Sequence, residues 1–140
     1  MEEYQIWTLF QSARIGNGLA LIATVLIIWL SLRTAMQTRT PVSGEAPNLF
    51  TKGLSSAFCL LNVFFVHGIW EFTSANAPLT ARAFTQLQAG GTEISDIAQG
   101  FIAYVGTTEP SGPGPMALVF LAVITVMMMG MIWAPKQPSA

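Results

Sequence analysis

Three stretches of this chain run for eighteen residues each without a formal charge: Ile15–Leu32, Gly53–Trp70 and Met116–Trp133. About 20 mostly apolar residues in a helix cross the hydrocarbon core of a bilayer. Polar residues interrupt the first stretch only at Asn17, Thr24 and Ser31, and the second holds Asn62 and His67. The third is the most apolar. Pro115 stands at its start, where the missing N–H costs nothing, and Pro135 follows its end.

Composition removes the alternatives. Only 9% of the 140 residues are charged, against roughly 25% in an ordinary soluble domain. Six Lys+Arg against seven Asp+Glu give a net charge of -1, which leaves no basic excess for binding nucleic acid. A single cysteine, Cys59, excludes a disulfide-stapled fold. The sequence therefore predicts an all-α integral membrane protein, with three transmembrane helices and a short amphipathic helix in the outer loop. One membrane domain fills 1–140: a first span at about 7–33, a cytoplasmic loop at 34–52, a second span at about 53–73, an outer loop at 74–114, a third span at about 115–134 and a cytoplasmic tail at 135–140. Glu2 and Glu3 open the chain where a signal peptide would be basic, so the first span reads as retained.

Short loops rich in Lys and Arg stay in the cytoplasm. Arg33, Arg39 and Lys52 flank the first connection, and Lys136 lies in the tail. The second connection holds Arg82 against Glu93, Asp96 and Glu109. The expectation is an N-terminus outside and a C-terminus inside, in a bacterial inner or organellar membrane. Trp7 and Trp70 fall at the outer ends and Trp29 and Trp133 at the inner ends, the interfacial positions that Trp favours.

Taking Arg33 and Lys52 as a common inner boundary gives a depth count. Arg14 and Glu71 each lie 19 residues away, about 28 Å of helix, so the count levels them and suggests an Arg14–Glu71 ion pair. His67 and Glu71 share a helix face at i,i+4 spacing. His67, with Glu71, is the candidate for holding a haem or metal shared with another subunit. As the only histidine it cannot build a two-His site alone. Asn62 is expected to make an interhelical hydrogen bond, and Cys59 to be a small buried residue. Met127, Met128, Met129 and Met131 point around the helix and cannot converge on one ion.

Ser12, Gly16, Ala20 and Thr24 recur at steps of four, a small-residue stripe suited to close helix packing. In the outer loop, Pro78 is expected to start a helix that Gly90-Gly91 stops. Thr92 is expected to cap another, with Glu93 and Asp96 in its first turn. Ile94, Ile97, Phe101 and Val105 form its apolar stripe, offered to a partner protein. A Pro/Gly linker, 109–115, leads into the third span.

Almost no group here is equipped for chemistry. The expected function is a small, non-enzymatic accessory subunit of a membrane complex of respiratory, photosynthetic or membrane-oxygenase type. Its partners would be other membrane subunits and lipid, in a hetero-oligomer, with no cofactor of its own. Two rivals are a redox subunit supplying His67, and a homo-oligomeric channel or carrier lined by Arg14, Asn17, His67 and Glu71.

Overall fold

The length of the apolar runs dictates long helices, and the computed structural model, which describes residues 2–41 and 44–135, is built from them. Among the described residues every regular element is helical: α1 (Glu3–Arg39), α2 (Leu49–Ser74), α3 (Asn76–Ala89), α4 (Asp96–Val105) and α5 (Pro115–Trp133). Three helical segments, Glu3–Arg39, Leu49–Ala89 and Pro115–Trp133, are long and apolar enough to cross a membrane, which fits a membrane location. Lys136 lies outside the described residues.

The helices overrun the charged residues that were expected to bound them. α1 has 37 residues, about 55 Å at 1.5 Å per residue. It passes Arg33 and ends at Arg39, and α2 begins three residues before Lys52. The expected loop at 34–52 shortens because Ala35 and Thr38 are buried and keep the helix in register with its neighbour. Asn48 then caps α2: its side-chain oxygen accepts from the Thr51 amide at 2.8 Å and the Thr51 hydroxyl at 2.9 Å.

The chain divides into two compact units, and α1 and α2 contribute to both. One unit comprises Ala23–Gly68 and the chain from Gly114 onward. Its core joins three helices: Ala35 from α1, Cys59 from α2, and Ile124, Met128 and Ile132 from α5. The three α5 residues follow i, i+4, i+8 spacing, so one stripe of an otherwise uniformly apolar helix faces inward. Met128 is buried in this stripe, whereas Met127 is exposed. The four methionines thus spread around the helix, as their spacing requires.

The other unit comprises the chain up to Ile22 and Ile69–Pro113. Here Pro78 lacks the N–H that would reach the Ser74 carbonyl, and its ring crowds that oxygen. α2 accordingly stops at Ser74. α3 starts at Asn76, two residues before the expected Pro78, because the Leu79 amide still reaches the Ala75 carbonyl at 3.0 Å. The Gly90-Gly91 stop is found. Gly91 takes φ +85, a left-handed conformation that strains any side chain. Ser74 also fastens the linker, donating its hydroxyl to the Ser111 carbonyl at 2.8 Å.

The cap of α4 differs from the expectation. Ser95, not Thr92, accepts the Ala98 amide, at 3.2 Å. The Thr92 amide is already used in closing α3, through Leu87 O. Glu93 therefore lies ahead of α4, and Asp96 alone is acidic in its first turn. Glu3 completes the arrangement from α1. Its carboxylate accepts the Ser95 amide at 2.8 Å and the Ser95 hydroxyl, and also the Trp7 indole N–H at 3.1 Å. A carboxylate at a helix N-terminus meets unpaired amides and the favourable end of the dipole. Ile6, Phe84, Ile94 and Ala98 close the core behind it. Trp7, Phe10, Phe84 and Phe101 form an aromatic cluster with centroids 4.9–6.0 Å apart.

The Ser95 hydroxyl, its amide and the Trp7 indole together hold the Glu3 carboxyl below its ordinary value of 4.5. A lowered carboxyl stabilises the docked state above the unfolded value. That stability is lost as pH falls through the lowered value. Hydrogen-exchange protection of the Ser95 and Ala98 amides, taken relative to the intrinsic exchange rate at each pH, should therefore be constant from neutrality down to about pH 5 and fall in stronger acid. Glu3→Gln should abolish this acid response. Ser95→Ala, which removes the cap, should cost about 1 kcal/mol in thermal or denaturant unfolding.

Candidate functional site

In a chain with few ionisable groups, the residues able to specify an arrangement are the hydroxyls and amides between helices. In the three-helix unit they form two crosslinks. The Thr38 and Ser55 hydroxyls lie 2.7 Å apart, and Asn62 donates its side-chain amide to the Ser31 hydroxyl at 2.9 Å. Between them the Cys59 thiol donates to the Ser31 carbonyl at 3.4 Å. Moving seven residues along α1, from Ser31 to Thr38, moves seven the other way along α2, from Asn62 to Ser55. The two crosslinks therefore fix one antiparallel register. Ser31 and Thr38 also donate to the carbonyls of Ile27 and Thr34, one turn back. Each hydroxyl thus serves its own helix and its neighbour. The expected interhelical bond of Asn62 is present, and Cys59 is fully buried.

α5 is tied in at Trp133. The Trp133 indole donates to the Ser56 hydroxyl at 2.9 Å, and the Lys52 ammonium sits 5.6 Å from the centre of the Trp133 ring. On α1, the Arg33 guanidinium lies 5.3 Å from the centre of the Trp29 ring. Both are cation–π contacts.

This register corrects the depth count. Arg33 is level with Leu60, and Lys52 is level with Pro41 at the end of α1. The two charges stand about eight residues, or about 12 Å, apart along the helix axis. They mark no common boundary. Hydroxyl and amide contacts set the register, and a count of charges does not see them. In the loop unit, Asn17 donates to the Thr73 carbonyl at 3.4 Å. That contact sets Arg14 and Glu71 about five residues out of level, about 7.5 Å. The Arg14 guanidinium lies 6.0 Å from the centre of the Phe10 ring, one turn toward the N-terminus.

His67 is half-buried and Glu71 is exposed, both on α2. Among the described residues, no three His, Cys, Asp or Glu side chains come together in a group able to hold a metal. Of the small-residue stripe, Ser12 is exposed and donates to the Thr8 carbonyl. A Cβ at Gly16 would meet nothing within 4 Å. Ala20 is half-buried, and Thr24 is buried with no hydrogen-bond partner for its hydroxyl.

The α4 stripe is largely consumed inside the chain. Ile94 is buried, Phe101 packs among Trp7, Phe10 and Phe84, and Val105 is half-buried. Ile97 remains 74% exposed. Ile94 and Phe101, expected to meet a partner protein, pack instead against Ile6, Trp7 and Phe10 at the start of α1.

Ser56 and Thr38 were not singled out in the sequence. Their only signal is hydroxyl residues at helical spacing on facing, otherwise apolar helices. Comparison with known protein families, with characterised proteins and with solved structures finds no match for this chain.

A double-mutant cycle on Ser31→Ala and Asn62→Leu should show coupling of about 0.6–1.7 kcal/mol, the range of interhelical hydrogen bonds in membranes. The same cycle on Arg14→Ala and Glu71→Ala tests the expected ion pair, which losses additive within about 0.3–0.5 kcal/mol would remove.

Proposed function

We propose that this chain is a small, non-catalytic accessory subunit of a larger membrane-embedded complex, and that its work is to pack against partner helices. One observation carries this reading. Only 11% of the most apolar window of α1 is buried by the rest of the chain. The figure is 17% for the windows in Leu49–Ala89 and Pro115–Trp133. Monomeric soluble proteins rarely expose contiguous apolar patches beyond a few hundred Å². Such a surface calls for lipid and for neighbouring helices.

The distribution of polar groups supports the same reading. The Ser31, Thr38, Ser55 and Asn62 side chains between α1 and α2 are satisfied by each other or by backbone carbonyls. They serve assembly rather than a substrate. The exposed face of α2 carries Phe50, Leu54, Leu61, Phe64 and Phe65, side chains suited to lipid or a partner helix and unsuited to an aqueous pathway. Under this proposal the connection around Arg39 faces the cytoplasm and the loop bearing α3 and α4 faces outward. Arg33, Arg39 and Lys52 support that orientation through the preference of short basic loops for the cytoplasm.

Mild detergent extraction followed by native electrophoresis and mass spectrometry tests the proposal. The chain should migrate in a high-mass band with other membrane subunits. Migration by itself, or only with copies of itself, would overturn the accessory reading. Accessibility of cysteines introduced at Ser111 and at Gly44 tests the orientation, and they should label from opposite sides.

A further inference from the structure

A line of three hydrogen-bond donors runs along one exposed face of α1, at Trp29, Arg33 and Gln37. The spacing is i, i+4, i+8, so successive side chains lie about 6 Å apart along the axis and on one ridge. All three residues are exposed. With Leu32 and Met36 they line an open cavity of about 410 Å³. Its apolar lining comes from Leu32, Met36 and the Trp29 ring, and its polar lining offers an indole N–H, a guanidinium and a primary amide. Among the described residues, none of the three donates a side-chain hydrogen bond, and no carboxylate lines the cavity. Arg33 is held in place by its 5.3 Å contact with the Trp29 ring. The register adds a second observation. Lys52 stands at the end of α1, but Arg33 is about 12 Å further along the helix pair. It is displaced toward the apolar part of the unit, where an isolated cation is costly and must be paired.

From this arrangement we infer that Trp29, Arg33 and Gln37 form a binding site for the headgroup of an anionic phospholipid, with the acyl chains lying along Leu32 and Met36. Chemistry identifies the ligand. Donors without acceptors require an acceptor-rich group, and one uncompensated guanidinium requires a negative charge. Apolar walls beside both require a tail. A phosphodiester bearing acyl chains has all three. A zwitterionic lipid would bring an ammonium to a cavity without a carboxylate to receive it. This inference rests on the membrane reading above, and the experiment separates the two.

The full chain is reconstituted in phosphatidylcholine vesicles doped with spin-labelled phosphatidylglycerol or spin-labelled phosphatidylcholine. Electron paramagnetic resonance then gives the motionally restricted fraction of each. Wild type should restrict phosphatidylglycerol in preference to phosphatidylcholine. In Arg33→Gln that preference should fall about fivefold, which corresponds to about 1 kcal/mol per basic residue near the headgroups. Trp29→Phe keeps the ring beneath the guanidinium and removes one donor, so it should weaken the preference less. Lys52→Gln, whose ammonium engages Trp133 instead, should leave it unchanged. Unaltered selectivity in Arg33→Gln, or an equal loss in Lys52→Gln, would overturn the site. Flotation of the vesicles tests the underlying reading: a chain that does not float with them overturns both, whereas one that floats without lipid preference overturns the site alone.

Discussion

The arrangement of α1 against α2 depends on two polar crosslinks in an apolar setting, Thr38 with Ser55 and Asn62 with Ser31. Apolar side chains attract one another with little preference for register, because sliding one helix past another exchanges one hydrocarbon contact for another. Where the surroundings are also hydrocarbon, even the bulk drive to bury apolar surface is absent. A hydroxyl facing a hydroxyl has a different profile. It is satisfied at one register and left without a partner at the next, and an unpartnered polar group away from water costs free energy. Few and weak bonds can therefore select one antiparallel alignment out of many with similar packing.

The loop unit solves a different problem. Its helices α3 and α4 are short, and helices of that length are marginal alone. They are held by an aromatic cluster and by Glu3, which reaches from α1 to the first turn of α4. The carboxylate fixes where α4 begins, and the apolar residues behind it fix which face turns inward. Unpaired amides at a helix start, a nearby negative charge and a hydroxyl acting as both donor and acceptor form one closed set of hydrogen bonds.

The sequence made the large features legible and left the alignment hidden. Uncharged runs of eighteen residues identify the three long helices, because their periodicity and length leave no other solution. Gly90-Gly91 and Pro115 announce helix ends through backbone geometry that no neighbour can alter. Asn62 was readable as an interhelical donor, since a mid-span amide has few other uses. α1 continues past Arg33 to Arg39, so the charge at Arg33 does not mark a helix end. Charge reports which side of a membrane a loop prefers and is silent on where a helix stops. The choice of Ser95 over Thr92 was equally hidden. Both are good caps, and the decision falls to Glu3, distant in sequence. The α4 stripe illustrates the same limit: its period shows that a face is apolar, and only the fold shows that the chain itself covers most of it.

The seclusion of Cys59 has a practical consequence. The thiol is wholly buried between helices and engaged with the Ser31 carbonyl, so aqueous maleimide reagents cannot reach it in the folded chain. Any second cysteine placed on the surface would be the sole reactive handle. Crosslinkers, fluorophores and paramagnetic tags can thus be attached one site at a time on the native background, without first replacing a residue that helps align two helices.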